Sequence, residues 1–235
     1  MAYKRVLLKL SGEQLAGKYD NGIDPEQAAW FAAEVKKAVD SGTEVVIMVG
    51  GGNFVRGAQT AGHGIQRVTA DHMGMLATLI NALALTDIFE DRGLKTRCLS
   101  NIFAQQVAEP FVHRLANKHL EKDRVVIVAG GIGRPYLTTD TAAVALALEL
   151  DCQVVLKATK VDGVYDKDPA HHDDAIRYQT LDFQHAVENA SIKVMDKAAI
   201  GLAMEHGMKV VVFNATSENA IHDAVSGKDI GTKIS

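Results

Sequence analysis

VVIMVGGGNFVRG, residues 45–57, is an apolar run that ends on three glycines, with an arginine soon after. A strand apolar on both faces belongs in a parallel sheet covered by helices on both sides. In such sheets ligands bind beyond the carboxyl ends of the strands. Gly50, Gly51 and Gly52 would there let backbone N–H groups approach a phosphate, and a helix starting near Asn53 would add its N-terminal dipole. Arg56 would supply a fork of donors suited to phosphate oxygens. A glycine triplet alone is as readily a loop, so the reading depends on what surrounds it.

The same pattern recurs outward from this stretch. β-branched or Leu-rich runs cover Arg5–Leu10, Glu44–Val49, Thr96–Leu99, Arg124–Ala129, Gln153–Lys157 and Lys209–Phe213. Helical patterns lie between most of them, at Pro25–Val39, Asp71–Arg92, Phe111–Leu120, Asp140–Leu150 and Met195–His206. Asp24-Pro25 reads as an N-cap and first helical residue, and Ser41-Gly42 and His206-Gly207 read as stops. The alternation predicts an α/β fold, a three-layer α/β/α sandwich with a mainly parallel central sheet. Four of the runs end in small or cationic residues: LLKLSG, VGGGN, AGGIG and LKATK. Repeated strand ends of this kind favour a nucleotide or phosphate site over a chance loop.

Bulk composition excludes other classes. The chain has 235 residues, 47% of them hydrophobic, with a formal net charge of −4, so no overall basic surface marks a nucleic-acid binder. Cys98 and Cys152 are the two cysteines, too few for a disulfide framework or a cysteine zinc site, and they read as small core residues. No apolar stretch reaches transmembrane length, and MAYKRVLL is too short and too quickly polar for a signal peptide. A soluble cytoplasmic protein without a membrane partner is the expectation.

Gly12–Tyr19 approaches the P-loop spacing but ends in Tyr19, which has no compact hydroxyl for magnesium, and DNGID beyond it reads as turn and cap. No G-x-G-x-x-G follows any strand. Lys9 is more informative, because an ammonium among Leu7, Leu8 and Leu10 needs an anionic partner or a route to water. Ser11 and Gly12 would close the turn after it. Asp140 reads as a helix cap that could also orient Lys9 or a solvated magnesium. Asp71, after an arginine-containing turn, reads as a cap or a ribose-hydroxyl acceptor. His171-His172-Asp173-Asp174 reads as a solvated loop, and Met73, Met75, Leu76, Leu79 and Leu83 as a helix packing face or subunit interface.

The motifs YKRVLLKLSGE, GGGNFVRG, ADHMGMLAT, RPYLTTDTAA, LKATKVDGVYDKDP and IKVMDKAA, in this order, run nearly the length of the chain. Together they resemble the bacterial uridylate kinases of the amino-acid kinase superfamily. The resemblance implies an amino-acid kinase-like fold over 1–235, with an acceptor-binding part roughly 1–150 and an ATP-binding part roughly 151–235. It implies ATP-dependent phosphorylation of UMP to UDP in pyrimidine nucleotide biosynthesis, Mg²⁺ held mainly by nucleotide phosphates and water, a hexameric homo-oligomer, and commonly regulation by GTP and UTP.

By position, Lys9, Leu10, Ser11, Gly12, Gly52 and Arg56 fall where the family holds ATP phosphates, and Thr159, Tyr165 and Asp168 where loops surround the adenosine. Gly51, Asp71 and the segment Ile132, Gly133, Arg134, Pro135, Tyr136, Leu137, Thr138 and Thr139 fall where UMP binds. Lys9, Arg56 and Asp140 are the catalytic candidates. The family segment often begins Thr-Gly-Asn-Pro where this chain reads Ile132-Gly133-Arg134-Pro135, and GKYDNG at residues 17–22 differs from the loop tied to GTP activation in some members. Two rivals remain: a catalytically silent nucleotide-binding or storage module on the same fold, and a kinase for another small anionic acceptor. The first would be expected to lose Lys9 or Asp71, and this chain keeps both.

Overall fold

The strand ends that carry the glycines and lysines lie side by side. The structure is a computed structural model that describes residues 2–55, 64–189, 192 and 195–235. In chain order its elements are β1 (Arg5–Leu10), α1 (Gly12–Leu15), α2 (Pro25–Asp40), β2 (Glu44–Val49), α3 (Arg67–Asp91), β3 (Thr96–Ser100) and β4 (Glu109–Pro110). Next come α4 (His113–Leu120), β5 (Val125–Ala129), α5 (Thr139–Glu149), β6 (Val155–Thr159), β7 (Thr180–Leu181) and α6 (Phe183–Glu188). The chain closes with α7 (Lys197–His206), β8 (Val210–Asn214), α8 (Ala220–Val225) and β9 (Thr232–Ile234).

Among the described residues the strands form one sheet in the order β4-β3-β5-β2-β1-β6-β8-β9-β7. Every pairing is parallel except that of β8 with β9. The four strands singled out by their ends, β5, β2, β1 and β6, are therefore contiguous and point the same way. From β1 the chain moves to β2 on one side, and from β6 to β7 and then β8 on the other. Two adjacent strands whose connections depart in opposite directions open a crevice at their carboxyl ends, the usual ligand position in open α/β sheets.

Both faces of the sheet are covered. Leu8, Ile47 and Ile127 pack with Phe31 of α2, Leu85 and Phe89 of α3 and Ile221 of α8. Leu7, Met48 and Val128 pack on the other face with Leu120 of α4, Val144 and Leu146 of α5, Phe183 of α6 and Ile200 of α7. Each fully buried side chain of this size contributes about 1.5–3 kcal/mol of transfer free energy. The expected sandwich is present, with its helix signals: Asp24 accepts the Glu26 N–H at 3.0 Å, and Gly207 ends α7 at φ 62°.

Several boundaries differ from the sequence reading. α3 begins at Arg67, a turn before Asp71, because its N-cap Gln66 makes no side-chain capping bond and leaves no signal in the sequence. β6 sits two residues later than expected, which places Lys157 in its middle rather than at its end. The short elements α1, α6, α8, β4, β7 and β9 are too brief for periodicity to reveal. α3 corrects the reading of apolar length alone: at 25 residues it is long and apolar enough to cross a bilayer by length and composition. Its Ala82, Leu85 and Phe89 lie in the core instead.

Candidate active site

Period-two alternation decides where the lysines point. On β1, Val6, Leu8 and Leu10 join the face covered by α2 and α3. Leu7 joins the face covered by α5, so Lys9 projects toward α5. β6 repeats the pattern, with Leu156 and Ala158 on one face and Val155 on the other. Lys157 therefore points the same way as Lys9. The two strands pair in parallel with Lys9 directly opposite Lys157.

One carboxylate separates these cations. Asp140, in the first turn of α5, sets Oδ1 2.8 Å from Lys9 Nζ and Oδ2 2.7 Å from Lys157 Nζ. All three side chains are nearly closed off, at 10%, 13% and 13% exposure for Lys9, Lys157 and Asp140. The contact with Lys9 is an ion pair. Burial pushes the Asp140 carboxyl up, but the two ammonium groups outweigh it and hold the group below the ordinary carboxylate range. Burial lowers Lys157 below an ordinary lysine, the charge of Lys9 adds to this, and Asp140 opposes it.

Asp140 is not the helix cap. Thr138 takes that role, its hydroxyl accepting the Asp140 N–H at 3.0 Å, which frees the aspartate to turn toward the lysines. Asp196 caps α7 by accepting the Ala199 N–H at 3.0 Å, and it also accepts the Thr141 hydroxyl at 2.8 Å and the Thr138 hydroxyl. The starts of α5 and α7 are thereby fixed to each other. A cavity of about 430 Å³ opens here, lined by Asp140, Lys157, Asn189, Asp196, Lys197 and the apolar Ile192 and Ile200. Among the described residues, Lys9 behind this wall, Lys157 and the exposed Lys197 stand with Asp140 and Asp196, three cations beside two carboxylates. Such a gathering of cations at a cavity suits an anion.

The glycine ends are packed more tightly than the sequence suggested. A Cβ on Gly51 would stand 2.7 Å from the Gly74 carbonyl oxygen and 3.0 Å from the Thr78 nitrogen. Glycine at 51 is thus required by α3 lying against the strand end. Gly12 is crowded likewise, with the Gly52 nitrogen 2.7 Å from its would-be Cβ. Two buried polar side chains of α3 hold the ends in place. Asn81 donates to the Gly50 carbonyl and to Asn53 Oδ1, both at 2.7 Å, and the Gly130 N–H donates to Thr78 Oγ1 at 2.7 Å. Phe54 and Val55 turn back onto the Gly51 carbonyl at 3.0 and 3.1 Å. Arg56, and any helix continuing from Asn53, lie outside the described residues.

Asp71 meets the segment after β5. Its Oδ2 accepts the Tyr136 N–H at 2.9 Å, and both its oxygens lie 2.9 Å from Arg67 Nε. It sits inside the helix and is not a cap. The segment is also held by Asn101, whose amide donates to the Gly131 carbonyl at 2.5 Å. Within it Ile132 packs partly into the core, Arg134 and Leu137 are exposed, and Thr139 opens α5.

Residues 4–214 match the amino acid kinase family. The chain belongs to that family. Among solved structures it is similar to the UMP kinase of Bacillus anthracis, at 37% identity and TM-score 0.95 over all of this chain and 96% of that one. It is similar to the UMP kinase of Ureaplasma parvum, at 34% identity and TM-score 0.92 with both chains fully covered. The uridylate kinase of Archaeoglobus fulgidus shares 28% identity at TM-score 0.76, again with both chains fully covered.

The remaining candidates of this amino acid kinase family member are more dispersed. Thr159 ends β6 with its hydroxyl 2.6 Å from the Val161 carbonyl, and Tyr165 donates to Asp162 at 2.5 Å. That bond, with partial burial, raises the Tyr165 phenol above its ordinary value. Asp168 is 61% exposed and accepts the Ala170 N–H at 2.9 Å within its own loop. A second hollow of about 290 Å³, lined by Asp162, Arg177, Phe213, Asn214 and Gly231, lies beside this loop. His171 through Asp174 are exposed. Burial pushes the Cys98 and Cys152 thiols up to about 11 and about 12, so both are inert core groups. The methionine face of α3 is split: Met75 and Leu79 turn inward while Leu76 is exposed.

Sequence reasoning did not name Lys157, Asn81, Thr78 or Asp196 as site residues. Lys157 had a signal in the shared wording of LLKLS and VLKAT, two strands with a lysine at matching places. The α3 residues had none, since one polar side chain in a long apolar helix says nothing of its partner.

Proposed function

We propose that this protein transfers the γ-phosphoryl group of ATP to UMP, forming UDP and ADP by in-line displacement between two facing phosphates. The observation that carries the reading is the pair of buried lysines converging on Asp140 at the crevice between β1 and β6. Membership of a kinase family and the likeness to two UMP kinases supply the reaction class and the acceptor.

Each residue has a role in this scheme. Lys9 and Lys157 neutralise the donor phosphates, while Asp140 sets their direction and carries no proton. Leu10, Ser11, Gly12 and Gly52 offer backbone to the phosphates, and Arg56 bridges toward the donor. Thr159, Tyr165 and Asp168 surround the adenosine. Gly51, Asp71 and residues 132–139 receive UMP, with Asp71 accepting the ribose hydroxyls. A phosphate monoester with a second pKa of about 6 is mostly a dianion at neutral pH, so no general base is needed. Neutralising two converging anions and aligning them are the dominant demands of phosphoryl transfer.

Mg²⁺ would come on the nucleotide phosphates with water and supply charge neutralisation. The acceptor part is roughly 1–150 and the donor part roughly 151–235, and the enzyme works as a homo-oligomer, a hexamer, in the cytoplasm. The test is a coupled assay with Mg·ATP against UMP, other nucleoside monophosphates, carbamate and amino-acid carboxylates. UDP formation as the preferred reaction supports the reading. Turnover only with a non-nucleotide acceptor, or none with any acceptor, overturns it.

A further inference from the structure

Arg67 stands where helix energetics give it no reason to be. It occupies the first turn of α3, where exposed N–H groups make a cation unfavourable. It precedes Asp71 by four residues, the weaker order for an ion pair along a helix. It is also partly exposed, at 43%, where ion pairs contribute little to stability. Yet it closes a triangle. Its Nε lies 2.9 Å from both oxygens of Asp71, Asp71 accepts the Tyr136 N–H at 2.9 Å, and the guanidinium lies 5.2 Å from the centre of the Tyr136 ring. Tyr136 stands at φ 68°, a left-handed backbone that a tyrosine keeps only where neighbours hold it. The N–H bond and the ring contact supply that hold.

We infer that Arg67 is a positioning residue for the acceptor, setting the Asp71 carboxylate and the Tyr136 backbone as one unit. The inference rests on the proposal that Asp71 receives the ribose of UMP. An ionised carboxylate offers about four lone-pair sites, and three contacts already use them. Two ribose hydroxyls would take the remaining site and displace one Nε contact, with the guanidinium kept in place by its stacking on Tyr136. Binding thus exchanges one bond in a preset group instead of ordering a loose loop.

The test is steady-state kinetics at saturating Mg·ATP with UMP and dUMP, beside direct titration of UMP binding. The proteins are the wild type, Arg67→Ala, Arg67→Lys, Tyr136→Leu and the double variant Arg67→Ala/Tyr136→Leu. Arg67→Ala should raise KM for UMP about tenfold, the scale of one charge-assisted contact, with kcat and KM for ATP nearly unchanged. Its preference for UMP over dUMP should fall. Tyr136→Leu should shift KM in the same direction by less, and the double variant should cost no more than Arg67→Ala alone, because the two act together. Should Arg67→Ala fail to fold, Arg67→Lys, which lacks the Nε contact and the planar stack, and Tyr136→Leu carry the same comparison. Unchanged KM and UMP preference in a folded variant overturn the inference while leaving the proposed function intact. Equal loss with both nucleotides and a lowered melting temperature make Arg67 structural and also overturn it. A wild-type protein that neither binds UMP nor makes UDP removes the proposed function, and this inference with it.

Discussion

Strand β1 carries a cation near each end, the half-buried Arg5 and the buried Lys9, and the two are treated differently. At its amino end Arg5 Nε pairs with Glu44 at 2.6 Å, while Nη1 donates to the Asn117 side-chain oxygen at 2.8 Å and to the Leu150 carbonyl at 2.6 Å. One cation meets one carboxylate, and neutral oxygens take its other donors. At the carboxyl end two cations, Lys9 and Lys157, converge on Asp140. A cation with its own carboxylate holds the sheet to α4 and α5, whereas converging cations suit an anion brought from outside. The convergence of cations, and not burial or ion pairing as such, is what distinguishes the candidate site from a staple.

The comparison breaks most visibly at Asp140. Asp140→Asn removes the carboxylate paired with both buried lysines, and removing one partner of a buried pair costs about 3–5 kcal/mol. Melting temperature should fall sharply and UDP formation should be lost. Inorganic phosphate or ATP should recover part of the melting temperature, since an anion replaces the missing charge. An Asp140→Asn protein as stable as the wild type would mean that the lysines do not strain each other.

Arg5→Met makes the opposite test. It orphans Glu44 and two neutral oxygens and should cost about 1–3 kcal/mol, read as an earlier denaturant midpoint. Activity per folded molecule should stay at the wild-type level. Loss of activity without loss of stability would erase the distinction between the two ends of β1.

The smallest effect is a pH dependence. The folded-state pKa of Lys157 lies below the ordinary 10.5. Between that value and 10.5 the unfolded chain holds a proton that the folded chain has released, so stability rises with pH across this window. In ligand-free protein the stability difference between wild type and Lys157→Met should grow in favour of the wild type as pH rises through it. A flat difference would show that Lys157 is not desolvated.

What the sequence revealed follows the same division. Lys9 was legible because a lone ammonium in LLKLSG has no place in a core strand. Asp140 was legible as a residue beside a glycine-rich strand end, but its N-terminal position in α5 suggested a cap, a role that Thr138 holds. Lys157 was missed as a partner because its strand was placed two residues early, which hid its register opposite Lys9. The sandwich itself came from runs apolar on both faces, a local property. The links from Thr78 and Asn81 to the glycine ends join residues far apart in sequence, and periodicity carries no such information. Arg67 could be seen only as an arginine in a turn, since its meaning depends on a ring sixty-nine positions later.

The central claim is that the converging lysines at the carboxyl end of β1 exist for phosphate and not for the fold. Lys9→Met tests it most directly, because it keeps the apolar stem and leaves the Asp140–Lys157 ion pair in place. The measurement joins melting temperature with and without Mg·ATP to turnover of UMP per folded molecule. The ligand-free variant should melt at or slightly above the wild-type temperature, lose much of the stabilisation given by Mg·ATP, and form almost no UDP. A variant that melts early yet keeps its turnover per folded molecule would contradict the account and make Lys9 a structural lysine.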